Sequence, residues 1–414
     1  MKKPKKNYWE ERSRMSNIPK LRFPEFKGEW EEKRIQDFAE CCAGATPDTK
    51  KDEYWIDGTI PWMSSGEVNN TFIYSTEKKI TQLGYDKTST KLLPSNTVVI
   101  ALAGQGKTRG TVAITRIELC TNQSLCAVLP DINLNSEYLF YFLSSQYKQL
   151  RNSSTGGDDS RGGLNLKIIG NFRLPYTTLT EQQKIADFLS NVDSIITAET
   201  KILNTLQKKK KALMQKLFTQ QLRFKSEDGT NFPAWEEKKL GDVCETYSGG
   251  TPKSGTAEYY GGEIPFIRSG EISSNKTELF LTEKGMENSS AKMVSKGDIL
   301  YALYGANSGL CSISKIDGAI NQAILCIKTN ENKRFLCNYL QYQREYFYST
   351  YLQGGQGNLS GKLVESFIIP LPCIEEQQKI ADCLSSIDSL IQTQQKVVTT
   401  WQQRKKALLQ QMFI

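Results

Sequence analysis

The residue types that most often carry catalysis are scarce in this chain. None of its 414 residues is histidine, so it contains no Ser-His-Asp triad, no Cys-His pair and no His-ligated metal. Its ten cysteines form no C-x-x-C pair, which favours buried structural thiols over a zinc site. Asp158 and Asp159 are adjacent in a glycine-rich segment, where solvated turn residues are expected. No G-x-S-x-G sequence and no N-P-P-[YF] methyltransferase motif occurs, so the residue types favour a binding protein over an enzyme.

One segment comes close to a nucleotide-binding motif. Ala101–Thr108 (ALAGQGKT) nearly matches the phosphate-binding pattern G-x-x-x-x-G-K-[ST], but Ala101 replaces its first glycine. That pattern also requires a helix directly afterwards, whose backbone N–H groups hold the phosphates. Thr108–Ile117 is instead rich in the β-branched residues typical of a strand. We therefore expect no nucleoside triphosphatase activity.

The chain repeats itself, and the repeat determines its organisation. Glu181–Ile196 (EQQKIADFLSNVDSII) returns as Glu376–Ile391 (EQQKIADCLSSIDSLI), and Trp30–Ile35 (WEEKRI) returns as Trp235–Leu240 (WEEKKL). Three shorter pairs lie between them in the same order: Thr46-Pro47 with Thr251-Pro252, Ile60–Glu67 with Ile264–Glu271, and Asn122-Gln123 with Asn321-Gln322. Copies of about 200 residues are far longer than solenoid repeats. The sequence therefore predicts a tandem duplication of a domain followed by a helix.

Each copy combines turn-rich strands with helices. Leu92–Gly104 and Val294–Gly305 each pass from a turn into an apolar segment typical of a strand. Asn135–Leu150 and Asn332–Phe347 have the apolar periodicity of amphipathic helices. The expected fold class is α/β (mixed α+β), with duplicated domains that are each followed by a long helix. The predicted boundaries are a basic tail at 1–20, domains at 21–178 and 221–372, and helices at 179–220 and 373–414.

The closing segment of each copy carries a sustained heptad pattern. In each copy, two series of positions spaced seven residues apart start at Ile185 and Leu189, or at Ile380 and Leu384, and eight of ten positions are apolar. A pattern of this length indicates a coiled coil rather than the surface helix of a globular domain. The predicted seam residues are Ile185, Leu189, Val192, Ile196, Leu203, Leu206, Leu213, Ile380, Leu384, Ile387, Ile391, Val398, Trp401 and Leu408.

Connectivity determines how these two helices pair. The first helix is expected to end near Gln220, and the second domain begins almost at once, at about Leu222. About 40 helical residues span roughly 60 Å, so a parallel pairing would require the second domain to bridge that length. An antiparallel pairing requires no such bridge. We therefore predict an antiparallel coiled coil with pseudo-twofold symmetry.

Polar loops in each domain are suited to hydrogen-bonding a polar partner. Their side chains include the donors and acceptors that bind base edges and phosphates in nucleic acids, although ordinary turn chemistry uses the same residues. The loops differ between the copies while their flanking segments match, so two frames would recognise two different half-sequences. The DNA-binding candidates are Ser64, Ser65, Glu67, Gln105, Lys107, Thr108, Arg109, Arg161, Arg268, Ser269, Glu271, Asn307 and Ser308.

The positive charge is concentrated at the start of the chain. The formal net charge is +8, and residues 1–22 hold eight Lys and Arg residues against two Glu residues. This segment is interpreted either as a solvated tail or as a basic arm that contacts nucleic acid or a partner subunit. No apolar stretch follows the first lysines, so we expect no signal peptide and a cytoplasmic location with reduced thiols.

From about Leu21 onward, the chain resembles a specificity subunit of a type I restriction–modification system. The resemblance rests on Leu174–Leu189 (LPYTTLTEQQKIADFL), on Leu371–Leu384 (LPCIEEQQKIADCL), and on the W-E openings, T-P and I-P stretches and Asn-Gln pairs of both copies. It implies that each domain reads one half of a bipartite double-stranded DNA target and that the helices set the gap between the halves.

The resemblance also implies partners for a chain that is not itself catalytic. These are two modification subunits, which methylate adenine with S-adenosylmethionine, and restriction subunits, which hydrolyse ATP with Mg²⁺. We expect no cofactor and no metal on this chain, and no membrane as a partner. The alternative hypothesis is a two-domain coiled-coil scaffold that binds proteins and has no DNA specificity.

Overall fold

A computed structural model describes residues 18–104, 106–153, 163–351 and 358–413. The chain divides into two compact units, Met1–Thr200 with Val397–Ile414, and Lys201–Lys396. The candidates Gln105 and Arg161, and most of the predicted basic tail, lie outside the described residues. Within the described part of the chain, no helix is both long enough and apolar enough to cross a membrane.

The described residues of the first unit form ten strands and include the first part of the first long helix. A five-stranded sheet has the order β2-β9-β6-β7-β4, a three-stranded sheet the order β5-β3-β8, and β1 pairs with β10. The strands are β1 (Glu31–Arg34), β2 (Ala39–Ala43), β3 (Ile60–Met63), β4 (Phe72–Ile73), β5 (Lys78–Ile80), β6 (Val98–Ala101), β7 (Val112–Thr115), β8 (Cys120–Thr121), β9 (Leu125–Pro130) and β10 (Arg173–Tyr176). The helices are α1 (Gln82–Asp86), α2 (Ser136–Ser145), α3 (Tyr147–Asn152), α4 (Leu166–Gly170) and α5 (Leu179–Phe218), with 3-10 turns at Ile35–Asp37, Asp52–Tyr54 and Ser65–Asn70.

The second unit has closely related sheets. Their orders are β12-β19-β16-β17 and β14-β13-β18-β15, and β11 pairs with β20. The strands are β11 (Glu236–Lys239), β12 (Cys244–Ser248), β13 (Tyr260–Ile267), β14 (Leu279–Leu281), β15 (Lys292–Val294), β16 (Ile299–Ala302), β17 (Cys311–Ile313), β18 (Gly318–Ile320), β19 (Ile324–Thr329) and β20 (Ile368–Leu371). The helices are α6 (Leu240–Val243), α7 (Glu283–Glu287), α8 (Lys333–Tyr342), α9 (Arg344–Tyr351), α10 (Gly361–Glu365) and α11 (Ile374–Met412), with 3-10 turns at Ala257–Tyr259 and Gly305–Asn307. The duplication of mixed α+β domains is confirmed.

The central strand of each unit separates two apolar clusters. All four residues of β6 are buried, and alternate side chains point to opposite faces of a sheet. Val98 and Ile100 join the cluster beneath α2, whereas Val99 and Ala101 join a second cluster. The same alternation occurs along β16. A strand buried on both faces explains why these segments read as continuous apolar runs.

The two long helices run antiparallel within each unit. In the first unit, Lys405 near the end of α11 lies 2.6 Å from Asp193 in the first half of α5. In the second unit, Lys210 in the second half of α5 lies 2.7 Å from Asp388 in the first half of α11. The antiparallel pairing predicted from connectivity is therefore confirmed in both units. The boundary between the units falls inside both helices.

The heptad pattern separates covered from exposed apolar residues. Each of the fourteen predicted seam residues is buried or half-buried. By contrast, Ile195, Ile202 and Leu390, which lie off the seam, are 37%, 47% and 56% exposed. The period of the sequence therefore identifies which side of each helix is covered.

Candidate nucleic-acid interface

The first predicted loop follows β3 and is held together by the carboxylate of Glu67. Its Oε1 accepts hydrogen bonds from the backbone N–H of Ser64 at 2.8 Å and from the Ser64 hydroxyl at 3.0 Å. Its Oε2 accepts from the backbone N–H of Glu77 at 3.0 Å. Glu67 is only 5% exposed, so its side chain supports the loop from within. Ser65 is half-buried and Gly66 exposed, so this part of the loop reaches the surface.

The equivalent loop of the second unit uses the same acid with an added arginine. Glu271 Oε1 accepts from the backbone N–H of Glu278 at 3.0 Å, and Arg268 Nε donates to Glu271 Oε2 at 3.1 Å. The Arg268 guanidinium also pairs with Glu278 at 2.6 Å. Burial would raise the pKa of Glu271, but the hydrogen bonds from Arg268 and from the backbone outweigh it and lower the pKa to about 2. Arg268, where the first unit has Ser64, is thus already engaged in an internal ion pair.

The second predicted loop joins β6 to β7 in the first unit and β16 to β17 in the second. One backbone hydrogen bond closes the base of this loop in each unit, and the two bonds define equivalent positions. Aligned in this way, the loop has six residues in the first unit (103–108) and four in the second (304–307). Those bonds are Gly110 N to Ala101 O at 2.9 Å, and Gly309 N to Ala302 O at 2.8 Å. The loops therefore share a base and differ in length and sequence.

The residues just before these two glycines are buried in both units. Arg109 is 7% exposed, and Ser308 is fully buried and donates its hydroxyl to Leu303 O at 3.1 Å. Both were predicted to contact DNA, as was Glu67, and the structure places all three side chains in the interior. Sequence pattern alone does not separate turn residues that face inward from those that face solvent. Lys107 is exposed and Thr108, Ser269 and Asn307 are half-buried, and these remain predictions.

The two loops begin at neighbouring strand ends. In the first unit, the turn at 122–124 connects the ends of the two strands. Its Ser124 O accepts a hydrogen bond from Leu102 N at 2.9 Å, and its Asn122 N donates to Met63 O at 3.1 Å. In the second unit, a Cβ placed on Gly270 would lie 3.5 Å from Asn307 Nδ2, so the two loops meet. Each unit thus presents two loops of different sequence on one matched frame.

The repeated Thr-Pro and Asn-Gln motifs contact each other within this frame. Thr46 Oγ1 donates to Gln123 Oε1 at 2.5 Å, and Thr251 Oγ1 donates to Gln322 Oε1 at 2.6 Å. A Cβ on Gly44 or Gly249 would lie 1.8 Å from a backbone oxygen of the strand before the Asn-Gln pair. Only glycine allows this close approach. These repeated motifs therefore build the frame.

The repeated Glu-Gln-Gln motif connects each long helix to its domain. Glu181 binds Arg22 Nε at 2.7 Å and Trp30 Nε1 at 3.1 Å. Glu376 binds Arg223 Nε at 3.1 Å and Trp235 Nε1 at 2.9 Å. The pKa of each arginine is raised, first of all by its hydrogen bond to the glutamate.

The glutamines of the motif extend the same connection. Gln182 Oε1 accepts from Asn135 N, and Gln377 Oε1 from Asn332 N, each at 2.9 Å. Sequence reasoning missed Arg22 and Arg223, and counted Arg22 with the basic tail. The available signal was the tripeptide Leu-Arg-Phe, which starts at Leu21 and again at Leu222.

Metal-binding chemistry is not assembled in this frame. Across the described ranges, no group of three or more His, Cys, Asp or Glu side chains is placed to hold a metal ion. The ten cysteines are free thiols. For Cys120, burial raises the pKa to about 11, which disfavours the thiolate form that ligates metals.

A family model described as "Type I restriction modification DNA specificity domain" matches residues 27–208 and 234–400. The two matches together cover most of the chain, one match in each copy of the repeat. The chain belongs to this family. Its duplicated organisation, predicted from the repeats, is therefore that of a type I DNA specificity protein, a recognition component and not a catalytic one.

Individual relatives agree with this assignment. The chain is 27% identical over 412 residues to the MjaVIII specificity subunit of Methanocaldococcus jannaschii, covering 94% of this chain and 92% of the relative. It is 27% identical over 311 residues to the MjaIX specificity subunit of the same organism, covering 72% of this chain and 70% of the relative. The solved S subunit from M. genitalium shares the fold, with a TM-score of 0.60 at 17% identity over 96% of this chain and 99% of that one.

Proposed function

We propose that each unit of this DNA specificity protein reads one half of a bipartite double-stranded DNA target. The observation that carries the proposal is a matched frame with unmatched loops. The Thr-Gln contacts recur in both units, and so do Glu67 and Glu271, which accept hydrogen bonds from backbone N–H groups near their loops. Ser64 and Lys107, however, have no counterpart of the same type in the second unit, where Arg268 and a shorter loop stand instead. Side chains on such loops are suited to base edges in the major groove.

Exchange of one domain tests this proposal. Residues 221–372 would be replaced by the corresponding segment of another family member, and modified adenines would then be mapped by single-molecule sequencing of the host genome. We expect one half of the recognised sequence to change and the other half to stay. As the matched control, exchange of residues 21–178 should change the opposite half. A change in both halves, or in neither, would contradict the assignment of one half to each unit.

We further propose the partners of the assembled complex. Two modification subunits would supply S-adenosylmethionine-dependent adenine methylation, and restriction subunits would supply ATP- and Mg²⁺-dependent cleavage, with this chain in the cytoplasm. Family membership supports this division of work, as does the shared fold of a solved chain from a study of complex assembly in a type I restriction–modification system. Methyl transfer from labelled S-adenosylmethionine to DNA should require both this chain and the modification subunits. Transfer by this chain alone would contradict the proposal.

The salt dependence of DNA affinity distinguishes DNA reading from the alternative, a scaffold that binds proteins. Neutralising each phosphate gives a log–log slope of affinity against salt of about −0.9. A DNA-reading protein therefore loses affinity steeply between about 50 and 200 mM salt. A protein scaffold has no DNA affinity to titrate.

A further inference from the structure

A cleft opens beside the β16–β17 loop of the second unit. Its volume is about 940 Å³. The loop contributes Gly305 and Ala306, the α8–α9 junction contributes Arg344 and Tyr346, and the second half of α5 contributes Gln207 and Lys211. The loop that we propose to read DNA and the long helix α5 therefore line the same cleft.

One face of α5 lines this cleft. Gln207, Lys210, Lys211 and Met214 all belong to the lining, and their spacing of three, four and seven residues is that of a single helical face. Lys210 is committed to Asp388 at 2.7 Å within the helix pair. Lys211 is exposed, whereas Lys210 is half-buried. Lys209, in the same lysine run, is also exposed but does not line the cleft.

The α8–α9 junction lines another part of the cleft, and its arginine is fixed to the loop. Arg344 Nε donates to Ser308 O at 2.9 Å, and its Nη2 donates to Ala306 O at 3.2 Å. The guanidinium thus holds the loop carbonyls while its charge remains beside the cleft. Glu345 is the acidic residue of the lining, against three basic ones. Tyr346 is 57% exposed and adds a hydroxyl donor.

We propose that Lys211 binds a phosphate of the DNA backbone beside the half-site that the second unit reads, an inference that rests on the proposed function. Lysine is a compact charge on a flexible stem, which suits phosphate contacts that position DNA without reading its sequence. The loop next to the cleft would read the bases. The helix α5 therefore takes part in DNA binding, and exchange of residues 221–372 leaves this contact in place.

The test compares Lys211→Gln with wild type and with Lys209→Gln in the full-length chain. The probe is a short, fluorescently labelled duplex of mixed sequence, and binding is followed by anisotropy from about 50 to 200 mM salt. For Lys211→Gln we expect a salt slope that is shallower by about 0.9, and affinity about eight-fold weaker at about 0.1 M salt. Lys209→Gln should match wild type in both. The thermal unfolding midpoint serves as the check that both variants fold.

Two other results have distinct meanings. If wild type binds the duplex with a steep salt slope and Lys211→Gln matches Lys209→Gln, the phosphate contact at Lys211 is wrong and DNA reading by the units stands. If wild type and both variants fail to bind the duplex, DNA reading by this chain is overturned and the contact with it. A methylome from Lys211→Gln that keeps the same modified sequence would support a positioning contact, whereas an altered sequence would contradict it.

Discussion

Two pairs of glutamates show how a single residue type serves two purposes in this protein. Glu181 and Glu376 connect helix to domain, and Glu67 and Glu271 connect a loop to itself. The sequence predicted the second pair as DNA contacts, because a carboxylate in a polar loop is compatible with either role. Glu67 is buried and Glu271 half-buried, and the burial of a turn residue depends on tertiary packing that sequence spacing does not specify.

Removal of the Glu376 charge should destabilise the second unit. Glu376 is fully buried and accepts from Arg223 and Trp235, so Glu376→Gln places an amide donor against these two donors. We expect a loss of about 2–4 kcal/mol, measured as a lower urea midpoint. Glu375→Gln is the matched control, because Glu375 is exposed and its ion pair with Lys379 is long, at 3.9 Å. Equal midpoints for the two variants would contradict the structural role of Glu376.

The loop of the second unit should weaken in acid. The folded pKa of Glu271 is about 2, against an ordinary value of 4.5. Because the folded pKa is depressed, the charged form stabilises the fold above about pH 4.5, and this contribution of at most about 3 kcal/mol is lost as the pH falls toward 2. Thermal unfolding of wild type between these pH values should show the loss, and Glu271→Gln should show a smaller one. Glu278→Gln, at an 81% exposed side chain, should retain most of the wild-type pH dependence.

At the scale of elements, the heptad period predicted which side of each helix is covered, but not which polar residues pair with each other. Lysines interrupt the apolar seam at positions 210 and 405, and the structure pairs them with Asp388 and Asp193. That pairing follows from the antiparallel register, which a single helix sequence does not contain. The partners Arg22 and Arg223 were missed because they lie more than 150 residues from the glutamates that they bind.

The Lys210–Asp388 pair should help to specify the antiparallel register. Lys210→Asp alone places two carboxylates together in a partly buried site, with a loss of about 1–3 kcal/mol. The double variant Lys210→Asp with Asp388→Lys restores opposite charges and should recover most of that loss in the thermal unfolding midpoint. Failure of the double variant to recover would mean that the pair does not contribute to register.

At the scale of the whole molecule, the long helix α5 is the continuous segment between the two domains. Inserting four residues beside the exposed Thr205 adds roughly 6 Å of helix and about one turn. We expect either a changed gap between the two halves of the methylated target or no specific methylation. Single-molecule sequencing of the methylome checks this outcome. An unchanged gap with full methylation would rule out the helix as the ruler.

The overall organisation could be predicted because duplication and heptads are written in consecutive residues. The loops that would distinguish one target from another could not be predicted to the same depth. Their frame is built from residues distant in sequence, such as Thr46 with Gln123. Which side chains emerge from that frame depends on loop length and on which loop residues are buried, as Arg109 and Ser308 are.

The junctions that lead into the two domains are alike in structure and differ in covalent continuity. Leu222 N donates to Lys216 O of the helix that leads directly into it, at 3.0 Å. Leu21 N donates to Gln411 O at 2.9 Å, although 390 residues separate them in the chain. One junction is therefore closed by peptide bonds and its counterpart by non-covalent contacts alone. If the chain were cut between Phe218 and Leu222, both junctions would be held by non-covalent contacts alone. The contacts at the first junction indicate that a helix and its domain can stay together without a peptide link.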